Sequence, residues 1–236
     1  MTIKKQVILQ ALRDCRDIYG HDDDVMINRD WDGYTILSIE GTKEKTDWIT
    51  NIKFLLKSDS CHRGFKVNAY RSLAKLVCEY EALDPKRTLV LAGHSLGGAT
   101  ATIIADLILP HNDNIALVTA GSPRPGGRAL RKRLENVEHH RFVHGSDVVP
   151  LTPPWLFGYV HTHPKIHLDD TFTTRFDGVI DHNIKDYVNQ AAIMLFPKTY
   201  VDPSKLRKNE YPSHTNPSDR VIGLASSGLL FPEIEK

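Results

Sequence analysis

The segment that most constrains the fold is an apolar strand that turns sharply into a helix. Residues 88–92 are almost entirely apolar, and Gly93-His94-Ser95-Leu96-Gly97 follows them before an alanine-rich stretch that ends near residue 109. A second apolar run, Ile115–Ala120, completes a β-α-β pattern. Strands without polar alternation are typical of a parallel sheet that helices cover on both faces. The chain is therefore predicted to be an α/β protein with a mostly parallel central sheet flanked by helices.

The turn between this strand and helix matches the pattern G-x-S-x-G. Glycines two residues before and after Ser95 let strand and helix approach closely, and the serine hydroxyl stands at the N-terminus of the helix. The N–H groups of that terminus favour a developing oxyanion. The alternative is a glycine-rich turn in which Ser95 only caps the helix. The strand before and the helix after it favour a nucleophilic serine.

A serine nucleophile needs a histidine base and an acid that orients the base, and in this architecture the acid precedes the histidine. Asp147 is predicted as the acid because it follows a strand at residues 141–143 and so lies at the same sheet edge as Ser95. His182 is predicted as the base because it lies near the start of the last helical pattern, residues 178–194. On spacing alone, a turn-forming Asp147 and a structural His182 remain alternatives.

A second N–H donor for the oxyanion is expected after an earlier strand. Thr42 follows the strand at residues 34–39, so its N–H is predicted to act together with that of Leu96. This chemistry requires neither a metal nor an organic cofactor. His161 and His163, together with His167, could form a metal site, but the sequence pairs no acidic or cysteine ligand with them, and a metal is therefore not predicted.

The rest of the chain is predicted from hydrophobic periodicity and turn residues. Asp32-Gly33 indicates a β-hairpin. Further helices are predicted over residues 3–19, 46–56, 64–82 and 126–135. No repeat or linker divides the chain, so we expect a single domain over residues 1–236.

Charge, hydrophobic stretches and cysteine content bear on the partners and the location of the protein. Thirty basic and 29 acidic residues leave a net charge of +1, which argues against broad nucleic-acid binding. The longest charge-free stretch carries several glycines, so no transmembrane segment is predicted. Three cysteines cannot all pair within the chain, and its first residues lack a leader pattern. The expectation is a cytoplasmic location, with export by another route as the alternative.

The chain resembles the class 3 lipase family, the fungal-lipase-like α/β hydrolases. The resemblance covers about residues 30–190 and depends on motifs in the family's order. These are Gly41-Thr42 with Asp47-Trp48, His62-Arg63-Gly64-Phe65, the turn at residues 93–98, and the segments 119–126, 141–150 and 181–187. One departure is Glu40, which stands where the family often has arginine.

The resemblance implies the α/β-hydrolase fold and a Ser95-Asp147-His182 triad, with Thr42 and Leu96 as oxyanion donors. It also implies that the chain hydrolyses carboxylic esters through an acyl-enzyme, above all lipid esters such as acylglycerols. The alternatives are an esterase for small soluble or acyl-aryl esters, and a catalytically silent binding module on the same fold. The expected partner is a lipid or other ester substrate with transient contact to a lipid interface. No pattern specifies an oligomeric state.

Three further features each allow two interpretations. Residues 43–60 are either a mobile lid or a packed amphipathic helix. Asp47 either hydrogen-bonds Thr42 or caps the helix before Trp48. The aromatic segment at residues 153–159 either lines an acyl pocket or is an ordinary buried loop. His94 is expected to pack inside the turn, away from Ser95.

Overall fold

The computed structural model describes residues 2–22, 25–41, 57–58, 61–80, 86–168 and 180–197. All the elements below lie within residues 1–198, which form one unit. The predicted helix at 46–56 and the tail beyond 197 lie outside the described residues, so a single domain over 1–236 stays a prediction.

From residue 63 to residue 144, helices and strands alternate along the chain, as the sequence predicts. The helices are α1 Lys5–Asp17, α2 Arg63–Tyr80, α3 Leu96–Ile108, α4 Arg128–Arg133 and α5 Ile184–Leu195. The strands are β1 Val25–Trp31, β2 Tyr34–Ile39, β3 Lys57–Ser58, β4 Cys61–His62, β5 Thr88–His94, β6 Ile115–Ala120, β7 Glu138–His144 and β8 Ile166–Leu168. Short 3-10 turns lie at Ile18–Gly20, Val149–Leu151, Trp155–Phe157 and Ile180–His182.

In the described part of the chain, the main sheet has six strands in the order β1-β2-β5-β6-β7-β8. Only β1 runs antiparallel to its neighbour, and every later pair is parallel. This confirms the predicted mostly parallel sheet. Because parallel strands end at the same edge, the residues that follow β2, β5 and β7 lie at one side of the molecule.

The β1–β2 hairpin turns at the predicted dipeptide. Asp32 and Gly33 both have positive φ, 51° and 83°, as a type I′ turn requires. The pairing register shifts between Asn28 and Trp31. This hairpin adds the antiparallel edge to an otherwise parallel sheet.

Helices pack on both faces of the sheet. On one face, α2 and α3 contact each other over a core that includes Leu37, Leu91 and Leu117. Alternate strand residues such as Val90 point to the other face, where α1 packs on the sheet and on α5. No helix in the described ranges is both long and apolar enough to span a membrane.

Several element boundaries differ from the sequence-based prediction. β7 begins at Glu138 rather than at residue 141, because the polar residues 138–140 are only half-buried and conceal the strand pattern. The helix predicted over 178–194 is a 3-10 turn followed by α5, and the side chain of Asn183 caps α5 by accepting a hydrogen bond from Lys185 N. The three-residue strand β8 is too short for periodicity to reveal.

Candidate active site

Ser95 occupies the sharp turn between β5 and α3. Its backbone has φ 57° and ψ −130°, a conformation that costs energy for any residue with a side chain. A Cβ atom at Gly93 would overlap the carbonyl group of Gly97, so close strand–helix contact requires glycine there. The Ser95 N–H donates to the Ala120 carbonyl at 2.9 Å, which ties the turn to β6.

The three residues predicted as a triad form one chain of hydrogen bonds. The Ser95 hydroxyl lies 2.7 Å from Nε2 of His182, and Nδ1 of His182 lies 2.7 Å from Oδ2 of Asp147. All three side chains are buried. A carboxylate can only accept, so Nδ1–H donates to Asp147, and Nε2 is left to accept the proton of the serine. The structure thus brings Ser95, His182 and Asp147 together in the order that nucleophilic activation needs.

Asp147 is held by further donors. The Tyr187 hydroxyl donates to Oδ2 at 2.6 Å, and the Val149 N–H donates to Oδ1 at 2.9 Å. Burial, followed by the nearby Asp147 carboxylate, raises the pKa of Tyr187 well above its usual value, which keeps the hydroxyl protonated and able to donate. Sequence reasoning missed Tyr187. Its place in the helix just after His182 was the available signal.

His94 packs against the base of the triad. Its ring is buried and stacks on the His182 ring with centroids 4.6 Å apart. Tyr19 lies in the 3-10 turn after α1, and its hydroxyl is 2.8 Å from Nδ1 of His94. His94 therefore packs inside the turn, as predicted, and its ring covers the imidazole of His182.

The turns that carry Asp147 and His182 also contact each other directly. Oδ2 of Asp181 accepts hydrogen bonds from the N–H and the hydroxyl of Ser146, and Nδ1 of His144 donates to the Asp181 carbonyl at 3.2 Å. The residues immediately before the acid and before the base are therefore bound to one another.

One of the two predicted oxyanion donors can be placed. Leu96 is the first residue of α3, and the N–H groups of a first helical turn have no acceptor within the helix. Thr42 and Asp47 lie outside the described residues, as do residues 43–56 and 59–60 of the segment considered as a lid. Gly41 is buried against the turn, and a Cβ atom there would lie 3.2 Å from Cβ of Ser95. The chain that follows β2 therefore starts beside the nucleophile.

Of the histidines considered for a metal, His161 is hydrogen-bonded to the protein. Nε2 of His161 donates to the Pro150 carbonyl at 2.8 Å, and burial lowers the pKa of His161 to about 3. Within the described ranges, no group of three or more His, Cys, Asp or Glu side chains is arranged to hold a metal ion. The bond of His161 therefore joins two parts of the loop between β7 and β8.

The aromatic loop at residues 153–159 has two parts. Tyr159 is buried, whereas Trp155, Leu156 and Phe157 are 70%, 75% and 64% exposed. The hypothesis of an ordinary buried loop is therefore wrong for these three residues. A 3-10 turn spreads three successive side chains around its axis, and here all three are exposed, so the turn itself stands clear of the core. We call Trp155, Leu156 and Phe157 the apolar tip.

With this geometry in place, comparisons with known proteins point in one direction. A family model described as lipase (class 3) matches residues 36–157. The chain is 34% identical over 146 residues to secreted mono- and diacylglycerol lipase 1 of Fusarium solani, covering 57% of this chain and 44% of the relative. It is 32% identical over 141 residues to secreted mono- and diacylglycerol lipase A of Penicillium cyclopium, covering 55% and 46%. The chain thus spans less than half the length of these relatives.

A solved structure shows the same fold. Lipase II from Rhizopus niveus superimposes with a TM-score of 0.55 at 24% identity, covering 70% of this chain and 77% of that one. This agreement confirms the predicted α/β-hydrolase architecture.

The expected cytoplasmic location is wrong, because the relatives from Fusarium and Penicillium are named as secreted lipases. The inference depended partly on an odd number of cysteines. A free thiol such as Cys15, fully buried in α1, packs as a small apolar side chain in any compartment. Cysteine number therefore does not specify the location.

Proposed function

The chain belongs to the class 3 lipase family, and on this premise we propose that it hydrolyses carboxylic ester bonds of lipids such as acylglycerols. The observation that carries the proposal is the buried hydrogen-bond chain from Ser95 through His182 to Asp147. The names of the relatives, which are lipases of mono- and diacylglycerols, support this substrate class.

In the first step, Oγ of Ser95 attacks the ester carbonyl while Nε2 of His182 takes the hydroxyl proton. The Asp147 carboxylate stabilises the imidazolium that forms and keeps the ring in its orientation. Tyr187 and the Val149 N–H hold that carboxylate, so the base is aligned before substrate arrives.

The attacked carbonyl oxygen gains negative charge, which the N–H groups of Leu96 and Thr42 are proposed to stabilise. The position of Leu96 at the start of α3 supports its role, and the contact of Gly41 with Ser95 supports that of Thr42. His182 then gives its proton to the leaving alcohol, which leaves Ser95 acylated. Water, activated by His182, attacks the acyl-enzyme and releases the fatty acid.

The relatives named as secreted support an extracellular site of action. Acylglycerols collect in droplets and membranes, so the protein is proposed to contact a lipid interface transiently during turnover.

A fluorophosphonate label tests the nucleophile, since it reacts with activated serines. We expect one adduct, at Ser95, and none in Ser95→Ala. Ser122→Ala is the matched control, because it removes another buried hydroxyl, one that donates to the Pro123 carbonyl. Ester hydrolysis by Ser95→Ala should fall by about 10³-fold or more. Absence of a Ser95 adduct in the parent protein would overturn the proposal.

The substrate class needs a separate measurement. Hydrolysis of emulsified diacylglycerol is compared with that of a dissolved short-chain nitrophenyl ester. We expect turnover of both, with the higher rate on the emulsion. Turnover confined to the dissolved ester would support a soluble-ester esterase and contradict the lipid assignment.

A further inference from the structure

The most exposed large apolar side chains of the described residues lie in one loop. Among the described residues, the four most exposed large hydrophobic side chains all lie within seven positions of each other, Leu151 and the three residues of the apolar tip. Leu151 is 60% exposed, while Tyr70, the next, is 51% exposed and lies on α2. Such clustering is unlike the single exposed apolar residues found on most soluble proteins. The cluster indicates a surface that binds another molecule or a membrane.

The apolar tip is held rigidly from both sides. The Arg124 guanidinium donates to the Leu151 and Pro153 carbonyls, and the Arg124 N–H donates to the Thr152 carbonyl at 2.7 Å. After the tip, the Val160 N–H donates to the Gly126 carbonyl at 2.7 Å. Both stems of the tip are therefore bound to residues 124–126, and little conformational freedom would be lost when the tip binds a partner.

The same supporting segment leads into a basic helix. α4 begins at Arg128 and has the sequence Arg-Ala-Leu-Arg-Lys-Arg. Arg128 and Arg131 are exposed, and across the part of the chain that the structure describes they form no salt bridge. With Lys132, Glu135 and Val160 they line a cavity of about 610 Å³. Lys132 is paired with Glu135, which leaves the two arginines as the uncompensated charge there.

The loop also starts at the catalytic edge of the sheet. It follows β7, and the Val149 N–H at its beginning donates to Asp147. The loop that carries the apolar tip therefore begins beside the triad.

We propose that the apolar tip inserts into the surface of a phospholipid bilayer that carries anionic headgroups, with Arg128 and Arg131 against the headgroup phosphates. Three successive exposed apolar side chains on a tight turn can enter a soft interface as one unit. Tryptophan favours the boundary between headgroups and acyl chains, and neighbouring arginines attract anionic lipid. The proposal rests on the proposed function only for the nature of the substrate, because the tip contributes no group to the triad.

Binding is measured in the Ser95→Ala background, so that it does not depend on turnover. Vesicles of phosphatidylcholine with and without phosphatidylglycerol are sedimented with the protein. We expect binding that increases with phosphatidylglycerol and falls about tenfold or more when Trp155, Leu156 and Phe157 are all replaced by serine. Thermal unfolding checks that the variant is folded. Val67→Ser with Tyr70→Ser is the matched control, because it removes exposed apolar residues of α2 instead.

Insertion has its own spectroscopic readout. Phosphatidylcholine brominated on its acyl chains quenches only tryptophans that enter the bilayer. We expect quenching in the parent and its loss in Trp155→Phe. The double variant Arg128→Gln with Arg131→Gln tests the arginines. In this variant phosphatidylglycerol should no longer increase vesicle binding, whereas a high concentration of brominated vesicles should still quench the tryptophan fluorescence.

Several results would overturn the proposal. One is equal vesicle binding by the tip variant and the parent, and another is an equal loss in the Val67 and Tyr70 control. A parent that sediments as a dimer, and becomes monomeric in the tip variant with vesicle binding unchanged, would identify the tip as a contact between two copies. Vesicle binding with no ester hydrolysis by the parent would refute the proposed function alone.

Discussion

The carboxylate of Asp181 accepts two hydrogen bonds from Ser146, one from the backbone N–H and one from the hydroxyl, both at 2.7 Å. Ser146 immediately precedes Asp147, and Asp181 immediately precedes His182. Gly145, with φ 47°, passes so close that a Cβ atom there would lie 2.6 Å from Oδ2 of Asp181. The turn that carries the acid and the turn that carries the base are thus joined beside the triad.

Replacing Asp181 by alanine should lower kcat by about tenfold or more, because small displacements of a base relative to its nucleophile are costly. KM should change little, since Asp181 is a positioning residue. Ser146→Ala keeps the N–H donor and should have the smaller effect. Steady-state kinetics on a dissolved ester measure both. A change in KM alone, or an unchanged kcat in Asp181→Ala, would count against this role.

Tyr187→Phe removes one donor to Asp147 and keeps the ring that packs beside His94 and His144. Hydrogen bonds to charged groups contribute about 1.5–3 kcal/mol, so the free energy of unfolding should fall by about that amount. kcat should fall by about tenfold, because the carboxylate becomes less firmly oriented. Urea unfolding and ester kinetics test the two effects. Parent-like values in both would show that Val149 and His182 suffice to hold Asp147.

Gly121 has φ 57° and lies against the triad, where a Cβ atom would be 2.8 Å from both Oδ2 of Asp147 and Nδ1 of His182. Gly121→Ala should therefore lower the rate of ester hydrolysis by about 10²-fold or more. Gly33→Ala is the matched control, because Gly33 also has positive φ but a Cβ atom there meets nothing within 4 Å. It should cost stability, as strained backbone does, with activity retained. Equal loss of activity in the two variants would attribute the effect to strain alone.

His62 is fully buried and stacks on Phe65 at 4.1 Å, and neither of its ring nitrogens has a hydrogen-bond partner in the described part of the fold. Burial lowers its pKa from 6.5 to about 4. Between these values the unfolded chain binds a proton that the folded protein does not. The free energy of unfolding should therefore fall as the pH drops from about 6.5 to about 4, by up to about 1.4 kcal/mol per pH unit from this residue.

Burial lowers the pKa of His139, His161 and His163 as well, so they act in the same direction. His62→Phe should reduce the slope of unfolding free energy against pH without removing it. Urea unfolding at several pH values from 7.5 to 5 measures the slope. An unchanged slope in His62→Phe would contradict the contribution of this residue.

Local patterns in the sequence were sufficient to predict the central strands and the sharp turn at Ser95. β5, the turn at Ser95 and α3 are contiguous, so their apolar runs and glycines report directly on their structure. The β1–β2 hairpin was equally local, since Asp32 and Gly33 determine its turn. Where polar residues are half-buried, as in the first part of β7, the same patterns failed.

The sequence by itself therefore determined the parallel sheet and the turn at Ser95, and by family resemblance it proposed Asp147 as the acid and His182 as the base. Only the tertiary structure decided how these residues meet. Ser95 and His182 are 87 positions apart, and their hydrogen bond depends on how α5 packs against α1 and the sheet. The same holds for the Tyr187 bond to Asp147, the Asp181 bonds to Ser146 and the exposure of the apolar tip. Contacts between distant segments follow from packing, which no local pattern encodes.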